Sequence, residues 1–111
     1  MKNVTIGNWY LVGGKPTKIT STNVVWALEE GCLPIPLTDK ILFKYGFRRE
    51  GGVAYWHDDH INACILYWNK DKMELIIDDN EITPRIRIDV LYVHQLQDAM
   101  RLVGINKEFE L

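Results

Sequence analysis

Residues 91–104 constrain the fold most, because their apolar positions recur with the period of an α-helix. The apolar side chains on one face are spaced by three, four and three residues: Val93, Leu96, Met100 and Val103. The polar side chains on the other face are His94, Gln97, Asp98 and Arg101. The spacing predicts a helix near 92–103 whose apolar stripe closes the core of a β-rich chain.

A chain of 111 residues with 47% hydrophobic side chains fits a single domain spanning 1–111. The two cysteines, Cys32 and Cys64, form no CxxC pair, so we expect reduced thiols rather than a disulfide framework. The first residues lack a signal-peptide pattern, and every apolar run is far shorter than a membrane span. These features predict a cytoplasmic protein with no membrane association.

The first 32 residues have the pattern of a small β unit. Residues 7–12 are aromatic and β-branched, Gly13 and Gly14 supply a two-residue turn, and residues 15–20 return as a second strand. Residues 24–28 are apolar and are predicted to form a third strand. Three short strands with tight turns predict a curled β meander of the SH3-like kind over 1–32.

Residues 33–111 have an α+β pattern. Thr38 is an N-cap and Gly46 supplies the left-handed residue after the last turn, which delimits a short helix at 38–45. Strands are predicted at 53–56, 61–68, 72–78 and 85–88, and 61–68 is central because it is apolar on both faces. The fold class is therefore α+β, with the SH3-like unit followed by an antiparallel sheet that the two helices cover on one face.

The charge of the chain argues against nucleic acid as a general partner. The formal net charge is −2, whereas proteins that bind a phosphate backbone usually carry a basic excess. A local site stays open, because Trp9, Lys15 and Lys18 would combine a stacking ring with cations on the N-terminal β unit. The other basic group is interpreted as a solvated helix face and the turn after it: Lys40, Lys44, Arg48 and Arg49.

The segment His57, Asp58, Asp59 and His60 is the most reactive cluster of side chains in the sequence, because imidazole and carboxylate groups bind transition metals. The favoured interpretation is a polar turn between two strands. The alternative is a metal-dependent enzyme that uses these four residues. Cys64 is excluded as a further ligand, because at strand rise it lies about 13 Å along the chain from His60. No phosphate loop or cofactor motif is present, so no cofactor is predicted.

His94 and Asp98 form an i, i+4 pair on the polar face of the C-terminal helix. Such a pair can orient a general base, although no serine or cysteine nucleophile lies near it in the sequence. The favoured interpretation is a surface or interface pair rather than a catalytic one. No convincing catalytic set is present, and the sequence therefore favours a protein that is not an enzyme.

Four tryptophans and five tyrosines are many for a chain of this length. Most are expected in the core, and one or two exposed rings would indicate a binding face. With no catalytic set, the first functional hypothesis is a small interaction module that binds another protein or itself. Nucleic-acid binding through the N-terminal β unit is the second hypothesis, and the metal-dependent enzyme is the third.

Two segments resemble a group of small uncharacterised proteins that are encoded by Bacteroidales bacteria and by their phages and mobile elements. The first is PIPLTDKIL at 34–42, which continues into YGF at 45–47, and the second is YVHQLQ at 92–97. Residues 6–10, 18–20 and 108–111 also look like the corresponding parts of those proteins. The resemblance implies a reduced bacterial cytoplasm and a prophage or mobile-element origin, and it implies no activity.

Overall fold

The computed structural model describes residues 4–50, 53–58, 64–69, 74–78, 86–102 and 109–111. The strands are β1 Trp9–Val12, β2 Lys15–Lys18, β3 Cys32–Leu33, β4 Arg48–Glu50, β5 Val53–Asp58, β6 Cys64–Asn69, β7 Glu74–Asp78 and β8 Ile86–Asp89. The helices are α1 Val24–Glu30, α2 Asp39–Lys44 and α3 Val93–Leu102. The predicted α+β class is confirmed, with antiparallel sheets and a three-stranded sheet at the N-terminus.

The N-terminal sheet has the strand order β2-β1-β3, and β1 is antiparallel to both of its neighbours. β1 and β2 form the predicted hairpin, with Gly13 and Gly14 at positive φ in the turn. The predicted third strand at 24–28 is wrong, because these residues lie in α1. β2 and β3 both run antiparallel to β1 and hence parallel to each other, so the chain needs a crossover between them, and α1 supplies it. The sheet therefore does not follow the consecutive order of a meander.

The second sheet has five strands in the order β4-β5-β6-β7-β8, all antiparallel. β6 lies at its centre, as predicted for the segment that is apolar on both faces. β4 was not predicted, since its residues were interpreted as part of a turn. β5 also extends further than predicted, through His57 and Asp58, because the backbones of these residues pair with Ile65 and Cys64 of β6.

The two predicted helices in the second part of the chain are confirmed, and local signals set their ends. Thr38 Oγ1 accepts a hydrogen bond from Ile41 N at the start of α2, and Phe47 N donates to Leu42 O beyond its end. At the start of α3, the side chain of Gln95 accepts hydrogen bonds from the backbone N–H groups of Leu91 and Tyr92. The contact satisfies the N–H of Tyr92, which the start of the helix leaves free, and the N–H of the residue before it.

Buried side chains form two hydrophobic clusters. The smaller cluster joins the N-terminal sheet to α1 and consists of Tyr10, Val12, Ile19, Ala27 and Cys32. The larger cluster brings α2 and α3 together with Ala54 and Trp68 of the five-stranded sheet and with Phe109. Trp68 donates its indole N–H to Val90 O at 3.0 Å, which satisfies its polar atom within this core. In the described part of the chain, no helix is long and apolar enough to cross a membrane.

Candidate functional site

α1 exposes most of its apolar side chains. Val25 is 66% exposed, Trp26 49% and Leu28 41%, while Ala27 is the one fully buried residue of the helix. We call the side chains of Val25, Trp26 and Leu28 the α1 face. Leu33 of β3, which is 61% exposed, follows three residues after the helix ends. The exposed areas of these four residues sum to on the order of 400 Å², which is comparable to the largest apolar patch of a typical monomer, and such patches are often functional.

The end of the α1 face is acidic. Glu29 and Glu30 are both exposed, and they occupy the last turn of the helix, which contains no basic residue. The carbonyl end of a helix carries partial negative charge, so two carboxylates at this end are electrostatically unfavourable. Neither carboxylate forms an ion pair with any residue that the structure describes. The two glutamates therefore give the α1 face a negatively charged edge.

The start of α1 is fixed by a side chain rather than left to helix propensity. Asn23 Oδ1 accepts a hydrogen bond from Thr20 N at 2.7 Å, and Asn23 Nδ2 donates to Lys18 O at 3.0 Å. At the other end, Gly31 adopts a φ of 90°, which favours glycine and turns the chain into β3. The α1 face is therefore held at both ends by the N-terminal sheet, and the helix presents it in a defined orientation.

Two of the three residues predicted to contact nucleic acid are neighbours. Trp9 and Lys18 are direct partners in the register of β1 and β2, whereas Lys15 lies exposed beside the hairpin turn. Trp9 and Lys18 line a cavity of about 500 Å³ together with Lys44, Phe109, Glu110 and Leu111. Trp9 is half-buried, and its indole N–H donates to Phe109 O at 2.8 Å. Its ring is therefore fixed as one wall of this cavity, with a carboxylate beside the two lysines.

The second basic group is divided by the fold. Lys44 lies in the last turn of α2, where a cation is favourable, and it reaches the cavity of Trp9. Arg48 and Arg49 lie in β4 rather than in a turn, which corrects the sequence interpretation. Arg49 Nη1 lies 3.8 Å from Asp39 Oδ2 at the start of α2. The four residues therefore lie on α2 and β4 rather than on one helix face and the turn after it.

His94 and Asp98 both lie on α3, but Asp98 makes its hydrogen bonds elsewhere. Asp98 Oδ1 accepts from Asn8 Nδ2 at 2.8 Å and from Arg101 Nη1 at 3.4 Å. The His94 ring stacks on Tyr92 at 5.9 Å between centroids and lies 5.1 Å from the ring of Tyr10. Burial lowers the pKa of His94, and the negative charge of Asp98 opposes this shift.

Part of the polar face of α3 packs against the N-terminal sheet, which the sequence did not predict, whereas Asp98 and Arg101 on the same face stay exposed. Gln97 is buried, its Oε1 accepts from Trp9 N at 2.9 Å, and its Nε2 donates to Gly7 O at 3.3 Å. Asn8, which is fully buried, adds its bond to Asp98. His94 Nδ1 is buried and has no hydrogen-bond partner within the described part of the chain. His94 and Asp98, for which the sequence favoured a surface or interface pair, thus lie at the junction between the N-terminal sheet and α3.

The segment 57–60, for which a polar turn was favoured and a metal site was the alternative, falls partly outside the described residues. Asp59 and His60 are not described, and of His57 and Asp58 the structure gives the backbone, which is strand rather than the predicted turn. In the register of β5 and β6, Cys64 is the backbone partner of Asp58. The distance along the chain is therefore not a valid reason to place Cys64 far from this segment. Among the described side chains, no three histidine, cysteine, aspartate or glutamate residues lie together in a metal-binding arrangement. The metal-dependent enzyme stays the less favoured hypothesis.

The α1 face was missed because residues 24–28 were interpreted as a core strand. The signal that identifies it is Asn23, followed by seven residues that end in Glu29 and Glu30, and then by Gly31. Asparagine before an apolar run and glycine after it are typical of helix ends. In a helix this short, five apolar residues in succession cannot all face one core. The same residues would therefore have indicated an exposed apolar surface.

No protein-family model matches the chain, and no curated protein and no solved structure is significantly similar to it.

Proposed function

We propose that this protein is a non-enzymatic interaction module that binds another protein through the α1 face. The observation that carries the proposal is the exposure of Val25, Trp26 and Leu28 on a helix that buries only Ala27 completely. A half-exposed tryptophan flanked by exposed aliphatic side chains is the usual composition of an interface centre. Keeping this surface in water is unfavourable, and a partner that covers it would remove that cost.

The orientation of α1 supports the same function. The hydrogen bonds of Asn23 and the buried side chain of Ala27 fix the helix against the N-terminal sheet. The α1 face is therefore largely organised before a partner arrives, which reduces the entropy lost on binding. A preformed helix face that docks into a groove is a common mode of recognition between proteins.

The test compares the protein with a Trp26→Ser variant in capture experiments from cells that express it, followed by rebinding of each purified partner. Leu102→Ser is the matched control, because Leu102 is also an exposed apolar residue of a helix but lies on α3. We expect the native protein and Leu102→Ser to bind the same partner and Trp26→Ser to lose it. Equal binding by all three proteins would refute the proposal. Light scattering of the native protein separates self-association from binding to another chain.

A second candidate function is binding of single-stranded nucleic acid at the cavity of Trp9, Lys18 and Lys44. The observation in its favour is that one aromatic ring and two lysines line the same cavity, although they come from three different elements. Stacking on a ring next to cations is how β surfaces bind single strands. The net charge of −2 and the nearby Glu110 weigh against it.

This candidate is tested with a labelled single-stranded oligonucleotide at low and high salt. Phosphate contacts release counterions, so binding at this site must weaken as the salt concentration rises. We expect Lys18→Ala with Lys44→Ala to abolish the binding and Lys40→Ala, on the same helix as Lys44 but outside the cavity, to preserve it. Salt-independent affinity, or equal loss in both variants, would exclude the site.

The location and origin of the protein are inferred from sequence. We infer a cytoplasmic protein of prophage or mobile-element origin from the segments at 34–42 and 92–97 and from the resemblance that they carry. The buried Cys32 is a thiol that donates to Ala27 O at 3.3 Å, which is compatible with a reduced compartment. Detection of the native protein in the cytosolic fraction of cells that express it would support the location.

A further inference from the structure

We propose that the partner of the α1 face is a basic amphipathic segment, with an apolar side that covers Trp26 and with lysine or arginine side chains opposite Glu29 and Glu30. The inference rests on the proposed function and specifies the chemistry of the partner. It starts from the position of two exposed carboxylates immediately beside exposed Val25, Trp26 and Leu28. An apolar patch with a charged rim selects partners by the sign of that charge.

The carboxylates are poorly placed for the stability of the isolated protein. They lie in the last turn of α1, next to the negative end of the helix dipole and next to each other. Elsewhere the chain follows the opposite rule: α2 has Asp39 in its first turn and Lys44 in its last. In α1, by contrast, two carboxylates lie in the last turn, next to the exposed apolar face. Cations from a partner would offset the negative charge of the carboxylates and of the helix end.

A second copy of the chain fits this surface less well. A two-fold symmetric contact brings the same patch of each molecule together. Such a contact would enclose both pairs of glutamates in one partly desolvated interface, and α1 itself provides no cation to balance them. Like charges that face each other across an interface are costly, which favours a partner of opposite charge.

A helical or extended segment suits the dimensions of the site better than a large domain surface. α1 has seven residues, so at the usual helical rise its length is about 10 Å. The exposed side chains cover on the order of 400 Å², roughly half of what each partner contributes to a standard interface. A short basic segment can cover Trp26 and still reach Glu29 and Glu30 at the helix end.

The test uses two labelled synthetic peptides with the same leucine pattern, one with lysine and one with glutamate at the polar positions. Binding to the purified full-length protein is measured by fluorescence anisotropy at low and high salt. The variants are Glu29→Gln with Glu30→Gln, and Trp26→Ala. Asp89→Asn with Glu110→Gln is the charge-matched control, because it also removes two exposed carboxylates but leaves α1 unchanged.

We expect the lysine peptide to bind the native protein and the control equally, and to bind the glutamate-to-glutamine variant about fivefold to tenfold more weakly. In that variant the affinity should also depend less on salt, because the screened charges have been removed. The glutamate peptide should bind at least roughly tenfold more weakly than the lysine peptide. Trp26→Ala should weaken binding by about tenfold or more while the salt dependence remains.

The two proposals fail in different ways. Equal binding of both peptides, equal affinities of the glutamine variant and the charge-matched control, or no binding of the lysine peptide would overturn the basic partner. Loss of binding in the glutamine variant with full binding by Trp26→Ala would instead contradict the α1 face as the apolar docking site. In that case the carboxylates would bind the lysine peptide without the apolar contact to Trp26 on which the proposed function depends.

Discussion

Asn8 Nδ2 donates a hydrogen bond of 2.8 Å to Asp98 Oδ1, and the two residues are 90 positions apart in the sequence. Asn8 is fully buried at the start of β1, whereas Asp98 lies on the exposed edge of α3. Beside this bond, Gln97 binds the backbone of Gly7 and Trp9. These contacts join the N-terminal sheet, which carries the α1 face, to the helix that closes the larger core.

The first prediction concerns this junction. Asn8→Ala should lower the free energy of unfolding by about 1–3 kcal/mol, because it removes a hydrogen bond to a charged group. Asp98→Ala should have a comparable effect, since it leaves the buried Asn8 amide without its acceptor. Chemical denaturation of both single variants and the double variant should give a coupling of about 1–2 kcal/mol. Strictly additive effects would show that the two side chains do not act together.

The second prediction concerns Gly7, which has a φ of 95° and lies against Arg101. A Cβ at this position would lie 3.1 Å from Arg101 Nη2, which is tighter than normal packing. Gly7→Ala should therefore lower the free energy of unfolding by about 1–3 kcal/mol. Gly13→Ala is the matched control, because Gly13 also has a positive φ, of 59°, but its Cβ would meet no atom within 4 Å.

The difference between these two glycine variants measures the combined cost of the less accessible φ of Gly7 and of crowding by Arg101. We expect Gly13→Ala to be destabilised less than Gly7→Ala, because a φ near 60° is the positive-φ region that other residues can reach at lower cost. Thermal and urea denaturation measure both effects. If Gly13→Ala were the more destabilised variant, the contact between Gly7 and Arg101 would not restrict this turn.

The third prediction follows from the burial of His94, which lowers its pKa from the ordinary value of 6.5 while Asp98 opposes the shift. Above pH 6.5, His94 is neutral in the folded and unfolded chains, and its contribution to stability is independent of pH. As the pH falls below this value, the unfolded chain binds a proton that the folded protein resists. The free energy of unfolding should therefore decrease until the pH reaches the lowered pKa of folded His94.

Urea denaturation between about pH 5 and pH 7 tests this dependence on His94. His94→Phe is a suitable comparison, because it retains a ring beside Tyr10 and Tyr92 but cannot be protonated. We expect the native protein to lose stability relative to His94→Phe as the pH falls. A constant difference across this range would show that burial does not shift the pKa of His94.

Local signals predicted the elements whose ends the neighbouring residues determine. Thr38 caps α2 as its identity implied, and the turn at Gly13 and Gly14 joins β1 and β2 in the expected hairpin. α3 spans Val93–Leu102, close to the predicted range of 92–103. In each case a cap, a glycine turn or a regular apolar spacing within a few residues was sufficient to predict the element, and contacts with distant residues stabilise the same structure.

The failures arise where the local pattern is ambiguous or where distant parts of the chain decide the structure. Residues 24–28 are too few for a helical period to be distinguished from a strand, and only the flanking Asn23 and Gly31 indicate the helix that connects β2 to β3. Gln97 was assigned to the polar, solvent-facing side of the helix. It is buried instead, because its carboxamide forms hydrogen bonds with the backbone of Gly7 and Trp9. Contacts across about 90 residues are not visible in local periodicity.

The same distinction applies to the candidate site. Trp9 and Lys18 were predicted on one β unit, and the hairpin register does bring them together. Lys44 and Phe109 join them only through tertiary contacts. Trp26 was missed because the exposure of a ring depends on which side of α1 the N-terminal sheet covers, and this was undetermined while the segment was interpreted as a strand.

The last prediction separates tryptophans that stabilise the fold from the one that we assign to binding. Trp26→Ala should change the free energy of unfolding by no more than about 0.5 kcal/mol, because the ring is half exposed and alanine is the better helix former. Trp68→Ala should reduce it by about 3–5 kcal/mol, because it empties a fully buried position and removes the bond to Val90 O. Urea denaturation, followed by circular dichroism rather than by tryptophan fluorescence, compares the two variants without losing the signal. A large destabilisation by Trp26→Ala would mean that the ring supports the fold, and the α1 face would then lose its central residue as a binding determinant.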